Sequence, residues 1–222
     1  MSTLTTPPLS TLLKRLFAEA EATQSALRQE ASKLTPAERA ARMNSGGDYK
    51  TFYMTSAKDI YLAVSEETAR LLYMLVRSCK AHNIVEFGTS FGISTLHLAA
   101  GVRDNGGAGR VIGTEFEPSK VATARANMTA AGLADLVEIR AGDALETLSR
   151  DLPDTVDLVL LDGAKSLYNP VFSLLQPRLR PGSLIVADNA DMCPEYLALI
   201  RAPGSGYLSV PFTDDVELSM KA

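Results

Sequence analysis

Short apolar runs that alternate with helix-length segments constrain the fold of this chain more than any other feature of its sequence. Five such runs follow one another after Ser65: Ile84–Phe87, Val111–Thr114, Val137–Ile139, Val156–Leu161 and Leu184–Ala187. Apolar strands separated by helices are typical of an α/β fold, in which helices cover both faces of a parallel sheet. Two further runs, Tyr207–Phe212 and Val216–Met220, are joined by three residues and predict a hairpin. The sequence therefore predicts a mostly parallel seven-stranded sheet with an antiparallel C-terminal hairpin.

The first 60 residues differ from the rest, because they are polar, rich in alanine and only weakly periodic. An apolar face at helical spacing predicts an accessory helix outside the core, and the residues of this face are Leu9, Leu12, Leu13, Leu16, Phe17 and Ala20. Thr35 is expected to cap a second, short helix that ends before Gly46. Ser65 is the expected N-cap of the first core helix. We therefore expect an N-terminal helical accessory segment over residues 1–60 and the main domain over residues 61–222.

Composition and charge exclude several classes of protein. The chain of 222 residues is 46% hydrophobic and 22% charged, which is ordinary for a folded globular domain. A formal charge of −4, with no block of Lys or Arg, disfavours nucleic acids and membrane surfaces as partners. Two cysteines, Cys79 and Cys193, are too few for a disulfide framework or a four-ligand zinc site. With no signal peptide and no apolar run of about 18 residues, we expect a cytoplasmic protein that does not span a membrane.

Acidic residues stand at or just after the ends of the first three apolar runs. These acids are Glu86, Glu115 and Asp143. Because ligands of parallel sheets bind beyond the carboxyl ends of the strands, the three acids should face one ligand. They suit a ligand with an ammonium group, a ribose and a base amine, and they would repel phosphates; S-adenosylmethionine (SAM) has these features. Each acid alone is also compatible with a simple turn or a helix cap.

Gly88 and Gly92 let the chain turn tightly, and approach a ligand, before a helix that should begin near Ile93. Their spacing is Gly-x-x-x-Gly and lacks the third glycine of the dinucleotide fingerprint. The spacing therefore disfavours NAD and FAD, and with them a nucleotide-dependent dehydrogenase.

The fourth and fifth runs are followed by oxygen-bearing side chains. Asp162 follows the fourth run, and Asp188 and Asn189 follow the fifth, so neighbouring strand ends would bring the three together. Two carboxylates and an amide suit a hard divalent cation, with Mg²⁺ ahead of Mn²⁺ or Ca²⁺. Lys165 is the expected base, because burial beside a cation and a sulfonium disfavours a protonated amine. The structural alternative is that Asp162 caps a helix and that Asp188 and Asn189 form a polar turn.

Taken together, these motifs resemble the class I SAM-dependent O-methyltransferases of the cation-dependent type, which include the catechol and caffeoyl-CoA O-methyltransferases. The likeness runs from about Val64 to Met220. It rests on Val-Glu-Phe-Gly-Thr from Val85, on Glu115 with the Phe and Pro that follow, on Gly-Asp-Ala from Gly142, and on the predicted cation ligands with their lysine.

The resemblance implies a Rossmann-like class I methyltransferase fold and makes residues 61–222 a SAM-dependent methyltransferase domain. The residues that it implies for SAM are Glu86, Gly88 and Ser94 for the methionine part, Glu115 for the ribose, Phe116, Asp143 and Ala144 for the adenine, and Val64 as a further contact. It also implies a metal site at Asp162, Asp188 and Asn189, and proton removal by Lys165.

Two features set this chain apart from the family pattern. Ala164 stands where the catechol enzymes carry a bulky aromatic residue, and the chain contains no tryptophan, which weakens stacking against a small phenol. Only the 33 residues from 190 to 222 follow Asn189, so the region that shapes the acceptor pocket is reduced to a segment near 194–201. The aromatic stretch from Tyr49 to Tyr61, or a partner subunit, could complete the pocket.

Dimers are common in the family, and we expect a homodimer.

The leading interpretation is transfer of the SAM methyl group to a metal-bound hydroxyl of a small aromatic molecule. A vicinal pair of hydroxyls is favoured because two adjacent oxygens can chelate one cation. Two alternatives remain open: a methyltransferase acting on a hydroxylated tRNA nucleoside, and a SAM-binding module without catalysis. The lack of a basic stripe disfavours the first alternative, and the shortened C-terminal region allows the second.

Overall fold

The computed structural model describes residues 2–32, 49–55 and 57–222. The short helix predicted from Thr35 lies outside these residues. Within them, the α-helices are α1 (Leu9–Ser32), α2 (Tyr49–Met54), α3 (Glu66–Ser78), α4 (Ile93–Asp104), α5 (Pro118–Ala130), α6 (Ala144–Thr147), α7 (Tyr168–Leu175) and α8 (Pro194–Ile200). The strands are β1 (Asn83–Phe87), β2 (Arg110–Glu115), β3 (Val137–Ala141), β4 (Val156–Leu161), β5 (Leu179–Ala187), β6 (Tyr207–Pro211) and β7 (Glu217–Lys221).

The strands form one seven-stranded sheet in the order β3-β2-β1-β4-β5-β7-β6. Strands β1 to β5 pair in parallel, and β7 pairs antiparallel with both β5 and β6. This arrangement confirms the predicted parallel sheet with an antiparallel C-terminal hairpin. Because the strand order reverses between β1 and β4, a crevice forms beyond their carboxyl ends, where sheets of this type bind ligands.

Helices cover both faces of the sheet, as predicted. Ile84 of β1 lies in a hydrophobic cluster with residues of α1, α3, α4 and α5, whereas its neighbour Val85 lies in a second cluster with residues of α7 and α8. Successive side chains of a strand point to opposite faces, so each central strand contributes to both layers. Among the helices that the structure describes, none has the length and apolar character that a membrane crossing requires.

Helix α1 is part of the core, so the expectation that it lies outside the core is wrong. Five residues of its apolar face are at most 8% exposed and share a cluster with β1: Leu9, Leu12, Leu13, Leu16 and Ala20. Phe17, the sixth residue of the face, makes an edge contact with His97, with 6.0 Å between ring centroids. The spacing identified the helix, but periodicity does not show what an apolar face packs against. The domain boundary at residue 60 stays a prediction.

Burial of His97 is expected to make the stability of the fold depend on pH. The imidazole is 3% exposed, and its Nδ1 lies 2.8 Å from the carbonyl oxygen of Ile93. Burial lowers the pKa of His97 to about 4, so the folded state keeps the ring neutral while the unfolded chain takes up a proton below about pH 6.5. Stability should therefore fall as the pH decreases from about 6.5 to about 4, with a loss of about 3 kcal/mol at the lower end.

Urea unfolding of the wild type and of His97→Gln between about pH 7 and pH 4 measures this effect. We expect the wild type to lose about 3 kcal/mol more than the variant over this range, because the variant has no imidazole to protonate. Equal losses in the two proteins would contradict the assignment of the pH dependence to His97.

Candidate active site

A cleft lies beyond the carboxyl ends of β1, β2, β3 and β4. Six of the residues predicted from the sequence line it: Gly88, Glu115, Phe116, Asp143, Ala144 and Asp162. These residues follow or end four different strands, and the parallel sheet brings them to one edge. The cleft thus collects most of the residues to which SAM was assigned.

Gly88 lies where the loop after β1 packs against the loop after β4. Its φ is +98°, and a Cβ atom here would lie 2.3 Å from the carbonyl oxygen of Asp162. A side chain cannot fit at this distance, and a positive φ is itself unfavourable for residues other than glycine. The sequence assigned this glycine to the approach of a ligand, and the structure adds a close contact between two loops of the chain.

Gly88→Ala should destabilise the protein by about 2 to 5 kcal/mol, because the new methyl group adds a clash with Asp162 to an unfavourable φ. Gly132→Ala is the matched control, since Gly132 has a φ of +68° and no neighbouring atom lies within 4 Å of the position of its Cβ. We expect this control to lose only about 1 kcal/mol. Chemical unfolding measures the free energy of unfolding of both variants. Equal losses would mean that the close contact with Asp162 does not contribute to the destabilisation.

Glu86 is a fully buried carboxylate in β1. Its Oε2 accepts hydrogen bonds from the hydroxyls of Thr89 at 2.8 Å and Thr95 at 2.5 Å, whereas its Oε1 has no hydrogen-bond partner within the described residues. Burial raises the pKa of Glu86, and the nearby hydroxyls, including that of Ser94, act in the opposite direction. A buried oxygen without a partner is unfavourable unless a ligand supplies a donor. Ser94 itself lines a small cleft that shares residues with the first one.

Glu115, at the end of β2, is held in the first cleft by the backbone. Its Oε2 accepts a hydrogen bond from the N–H of Ser90 and its Oε1 accepts one from the N–H of Glu117, both at 2.8 Å. Ser90 has a φ of +48° in the loop that precedes α4. Each carboxylate oxygen can accept a second hydrogen bond, so Glu115 retains the capacity to bind hydroxyl groups.

Both carboxylate oxygens of Asp143 have partners within the chain. Its Oδ1 accepts a hydrogen bond from the N–H of Leu145 at 2.9 Å and so caps α6, as the structural alternative for this acid predicted. Its Oδ2 lies 2.7 Å from Nζ of Lys50, and the same Nζ lies 5.7 Å from the ring centroid of Phe116. The end of the cleft assigned to adenine therefore contains a lysine from α2 that sequence reasoning missed.

Asp162, Asp188 and Lys165 meet at the neighbouring ends of β4 and β5. Nζ of Lys165 lies 3.5 Å from Oδ1 of Asp162 and 3.1 Å from the carbonyl oxygen of Asp188. Burial raises the pKa of Asp162 well above its ordinary value, and the charge of Asp188 raises it further. Burial also raises the pKa of Asp188, to about 6, against the effect of Lys165. Two neighbouring acids with raised pKa values form a site that a cation would stabilise.

Tyr168 holds Lys165 in this position. Its hydroxyl accepts a hydrogen bond from Nζ of Lys165 at 2.8 Å and lies 2.5 Å from the carbonyl oxygen of Asp188. Sequence reasoning missed this tyrosine, although a spacing of three residues in a helical turn is a usable signal, because it places two side chains on one face. Leu62 and Lys120 also line the first cleft and were missed; no feature of the sequence distinguishes them.

Asn189 lies beside Asp188 and lines a second cleft together with Asp188 and Val64. It has a φ of +48°, and its Nδ2 donates a hydrogen bond to Oδ2 of Asp215 at 3.4 Å. Over residues 2–32, 49–55 and 57–222, no group of three or more His, Cys, Asp or Glu side chains is placed to bind a metal ion. The predicted set contains only two such residues and an amide, so the cation stays a prediction.

Tyr61 belongs to the aromatic stretch that was one of the two candidates, with a partner subunit, to complete the acceptor pocket. Its ring stacks on that of Phe91 with 4.2 Å between centroids, and its hydroxyl donates a hydrogen bond to Oε2 of Glu19 at 2.5 Å. Helix α8 occupies the segment near 194–201 that was predicted to shape the acceptor pocket. The structure does not describe the side chains of Tyr49, Phe52 and Tyr53. How the acceptor pocket is completed therefore stays a prediction.

Comparison with known proteins identifies relatives of this chain. Residues 85–190 match the family described as a methyltransferase domain. A catechol O-methyltransferase of Niastella koreensis is 36% identical over 131 residues, which cover 58% of this chain and 58% of that protein. A catechol O-methyltransferase of Mycobacterium tuberculosis is 38% identical over 129 residues, which cover 58% of this chain and 57% of that protein. The match thus spans less than two thirds of the length of either relative.

Solved structures resemble the chain over most of its length. Cofactor-bound Rv0187 from MTB has a TM-score of 0.66 and 27% identity, covering 85% of this chain and 98% of that chain. An O-methyltransferase from Bacillus cereus in complex with SAH has a TM-score of 0.65 and 23% identity, covering 83% of this chain and 96% of that chain. This second structure shares the fold of the chain. The chain therefore has the class I methyltransferase fold, its residues 85–190 match the methyltransferase domain family, and its sequence is similar to two catechol O-methyltransferases over part of their length.

Proposed function

We propose that this protein is a SAM-dependent O-methyltransferase whose acceptor is a small hydroxylated aromatic molecule with two adjacent hydroxyls, as in catechol. The observation that carries the proposal is the position of Lys165, whose Nζ lies 3.5 Å from Oδ1 of Asp162 at the cleft assigned to SAM. An amine at this position can, in its neutral form, take a proton from a hydroxyl group. The relatives named catechol O-methyltransferase support the same function.

Residues that line the first cleft, together with the buried Glu86 of β1 that precedes two of them, support SAM as the ligand. Oε1 of Glu86 is a buried acceptor without a partner in the described residues, and the ammonium group of SAM would supply its donor. Glu115, held by two backbone N–H groups, retains acceptor capacity for the ribose hydroxyls. Phe116 and Ala144 offer apolar surface to a base. We assign Gly88 and Ser94 to the methionine part with Glu86, Asp143 to the adenine, and Val64 to a further contact.

Asp162, Asp188 and Asn189 would hold a divalent cation. Carboxylate and amide oxygens are hard ligands, which favours Mg²⁺, with Mn²⁺ or Ca²⁺ as alternatives. The raised pKa values of Asp162 and Asp188 support this assignment, because two buried acids at one place disfavour their charged forms until a positive charge compensates them. When bound, the cation supplies a Lewis acid that makes a coordinating hydroxyl more acidic.

Lys165 is the proposed proton acceptor. The O–H bond of the acceptor breaks as its proton moves to Nζ, the oxygen forms a bond to the methyl carbon, and the carbon–sulfur bond breaks with its electron pair left on sulfur. The products are a methyl ether and S-adenosylhomocysteine (SAH). The new ammonium group has three acceptors in place, namely the Tyr168 hydroxyl, the Asp188 carbonyl and the Asp162 carboxylate. By aligning the reacting atoms, a protein can lower the activation free energy by about 7 to 11 kcal/mol in favourable cases.

The proposal includes a homodimer in the cytoplasm. Cys79 and Cys193 are free thiols, which suits a reducing compartment. Leu208 and Val210 of the edge strand β6, and Phe212 just after it, are exposed apolar side chains, which suits contact with a second subunit.

Incubation with SAM labelled in its methyl group tests the function. We expect labelled product from catechol in the presence of Mg²⁺ and much less from phenol, which has a single hydroxyl. SAM binding without transfer to any member of a panel of aromatic diols would argue for a binding module without catalysis. Labelling of tRNA at moderate salt, in place of the diols, would argue for the nucleoside alternative.

A further inference from the structure

Lys120 is a fully buried lysine that the proposed reaction does not use. Lys120 lies near the start of α5, is 1% exposed and lines the first cleft. Glu117 caps this helix by accepting a hydrogen bond from the N–H of Lys120 at 2.7 Å, and Pro118 occupies the first helical position. The cap holds the backbone of Lys120, so its side chain leaves the helix from a well-defined point.

The ammonium group of Lys120 reaches back to the segment that precedes α3. Its Nζ donates a hydrogen bond to the carbonyl oxygen of Ile60 at 3.0 Å and lies 5.2 Å from the ring centroid of Phe91. The next residue, Tyr61, stacks on the same Phe91 ring. The residue after that, Leu62, lines both the first cleft and the small cleft beside it. Lys120 and Phe91 thus hold the two residues that place Leu62 against the cofactor cleft.

This contact is unusual for a charged side chain, because burial of an ammonium group is unfavourable unless it is paired. Burial lowers the pKa of Lys120, while the carboxylates of Glu115, Glu117 and Asp59 act in the opposite direction. One of these carboxylates, Glu115, is the residue assigned to the ribose. The ammonium group of Lys120 thus interacts with that carboxylate as well as with the segment that forms the wall of the cleft.

We infer that Lys120 is a positioning residue that ties residues 60–62 to α5 and thereby maintains the wall of the cofactor cleft. The inference rests on the proposed function for the identity of the ligand, but not for the contact itself. Without the Lys120 donor, the carbonyl of Ile60 would lose its charged partner, and the segment would be held through Tyr61, by its stacking on Phe91 and its hydrogen bond to Glu19. A looser wall must be ordered when the cofactor binds, which lowers affinity.

Two variants test the inference. Lys120→Met keeps the length and apolar stem of the side chain and removes the donor, and Lys120→Arg keeps a charged donor. In the ligand-free protein, we expect Lys120→Met to lower the backbone order parameters of residues 60–63, measured by NMR, from about 0.85 to below about 0.6. SAH affinity, measured by calorimetry, should fall by about tenfold, as expected for loss of a hydrogen bond to a charged group. Lys120→Arg should stay closer to the wild type in both measurements.

Lys14→Met, the same change at an exposed lysine of α1, is the control and should alter neither value. Unchanged order parameters at residues 60–63 in Lys120→Met would overturn the contact, and unchanged SAH affinity with lowered order parameters would overturn its role in binding. A general loss of stability, with Lys120→Arg as impaired as Lys120→Met, would also overturn the inference. If the wild type itself does not bind SAH, the proposed function fails, and the order parameters still decide the role of Lys120 in the wall.

Discussion

Replacement of Lys165 by alanine is expected to lower the rate of methyl transfer by a factor of about 10² to 10⁴, the contribution typical of a positioned general base. Affinity for SAH should remain near that of the wild type. The reason is that Nζ of Lys165 contacts Asp162, Asp188 and Tyr168, which lie at the end of the site assigned to the acceptor and the cation. The variant therefore separates chemistry from cofactor binding.

Single-turnover transfer to catechol and calorimetric titration with SAH measure the two effects independently. Lys14→Ala, which removes an exposed lysine of α1, is the matched control and should leave both values unchanged. Undiminished turnover in Lys165→Ala would remove the lysine from the mechanism. A loss of SAH affinity as large as the loss of rate would instead make Lys165 part of the cofactor site.

Asp188→Ala is expected to abolish methyl transfer and its dependence on Mg²⁺ together. The change removes one of the two carboxylates proposed to hold the cation, and a site with one carboxylate and one amide binds hard divalent cations weakly. Rates measured over a range of Mg²⁺ concentrations, before and after EDTA treatment, test this prediction. Thermal unfolding gives a second readout without substrate: Mg²⁺ should raise the Tm of the wild type by mass action and leave that of the variant unchanged.

Asp154→Ala is the control for this experiment, because Asp154 is an exposed acid whose Oδ1 lies 3.4 Å from Nη1 of Arg178, outside the proposed site. It should retain both activity and the response to Mg²⁺. A wild-type protein that methylates catechol at full rate after EDTA treatment would refute the role of the cation. Asp188→Ala with a normal Mg²⁺ response would show that the cation binds elsewhere.

The sheet could be predicted because strands buried on both faces leave a simple signal. β4 is buried at all six positions, so its segment reads as one continuous apolar run. The convergence of the site followed from topology, since parallel strands end at the same edge of a sheet. Glu115, Asp143 and Asp162 follow or end three different strands and line one cleft for that reason.

The sequence contains no comparable signal for contacts between side chains that lie far apart along the chain. The apolar face of α1 looks the same whether it packs on the core or on another subunit, so its burial could not be inferred from spacing. Lys50, which pairs with Asp143, and Lys120, which is buried against Ile60, look like ordinary surface lysines in the sequence. The need for glycine at position 88 depends on the carbonyl of Asp162, which only the packing of two loops brings within 2.3 Å of the Cβ position.

Crystals grown with SAH and Mn²⁺ offer the most direct test of the central claim, because anomalous scattering locates the cation without reference to activity. We predict a single peak within about 2.5 Å of side-chain oxygens of Asp162, Asp188 and Asn189, with Nζ of Lys165 beside it and SAH in the first cleft. A map with SAH bound and no peak shared by these three side chains would contradict the proposed centre.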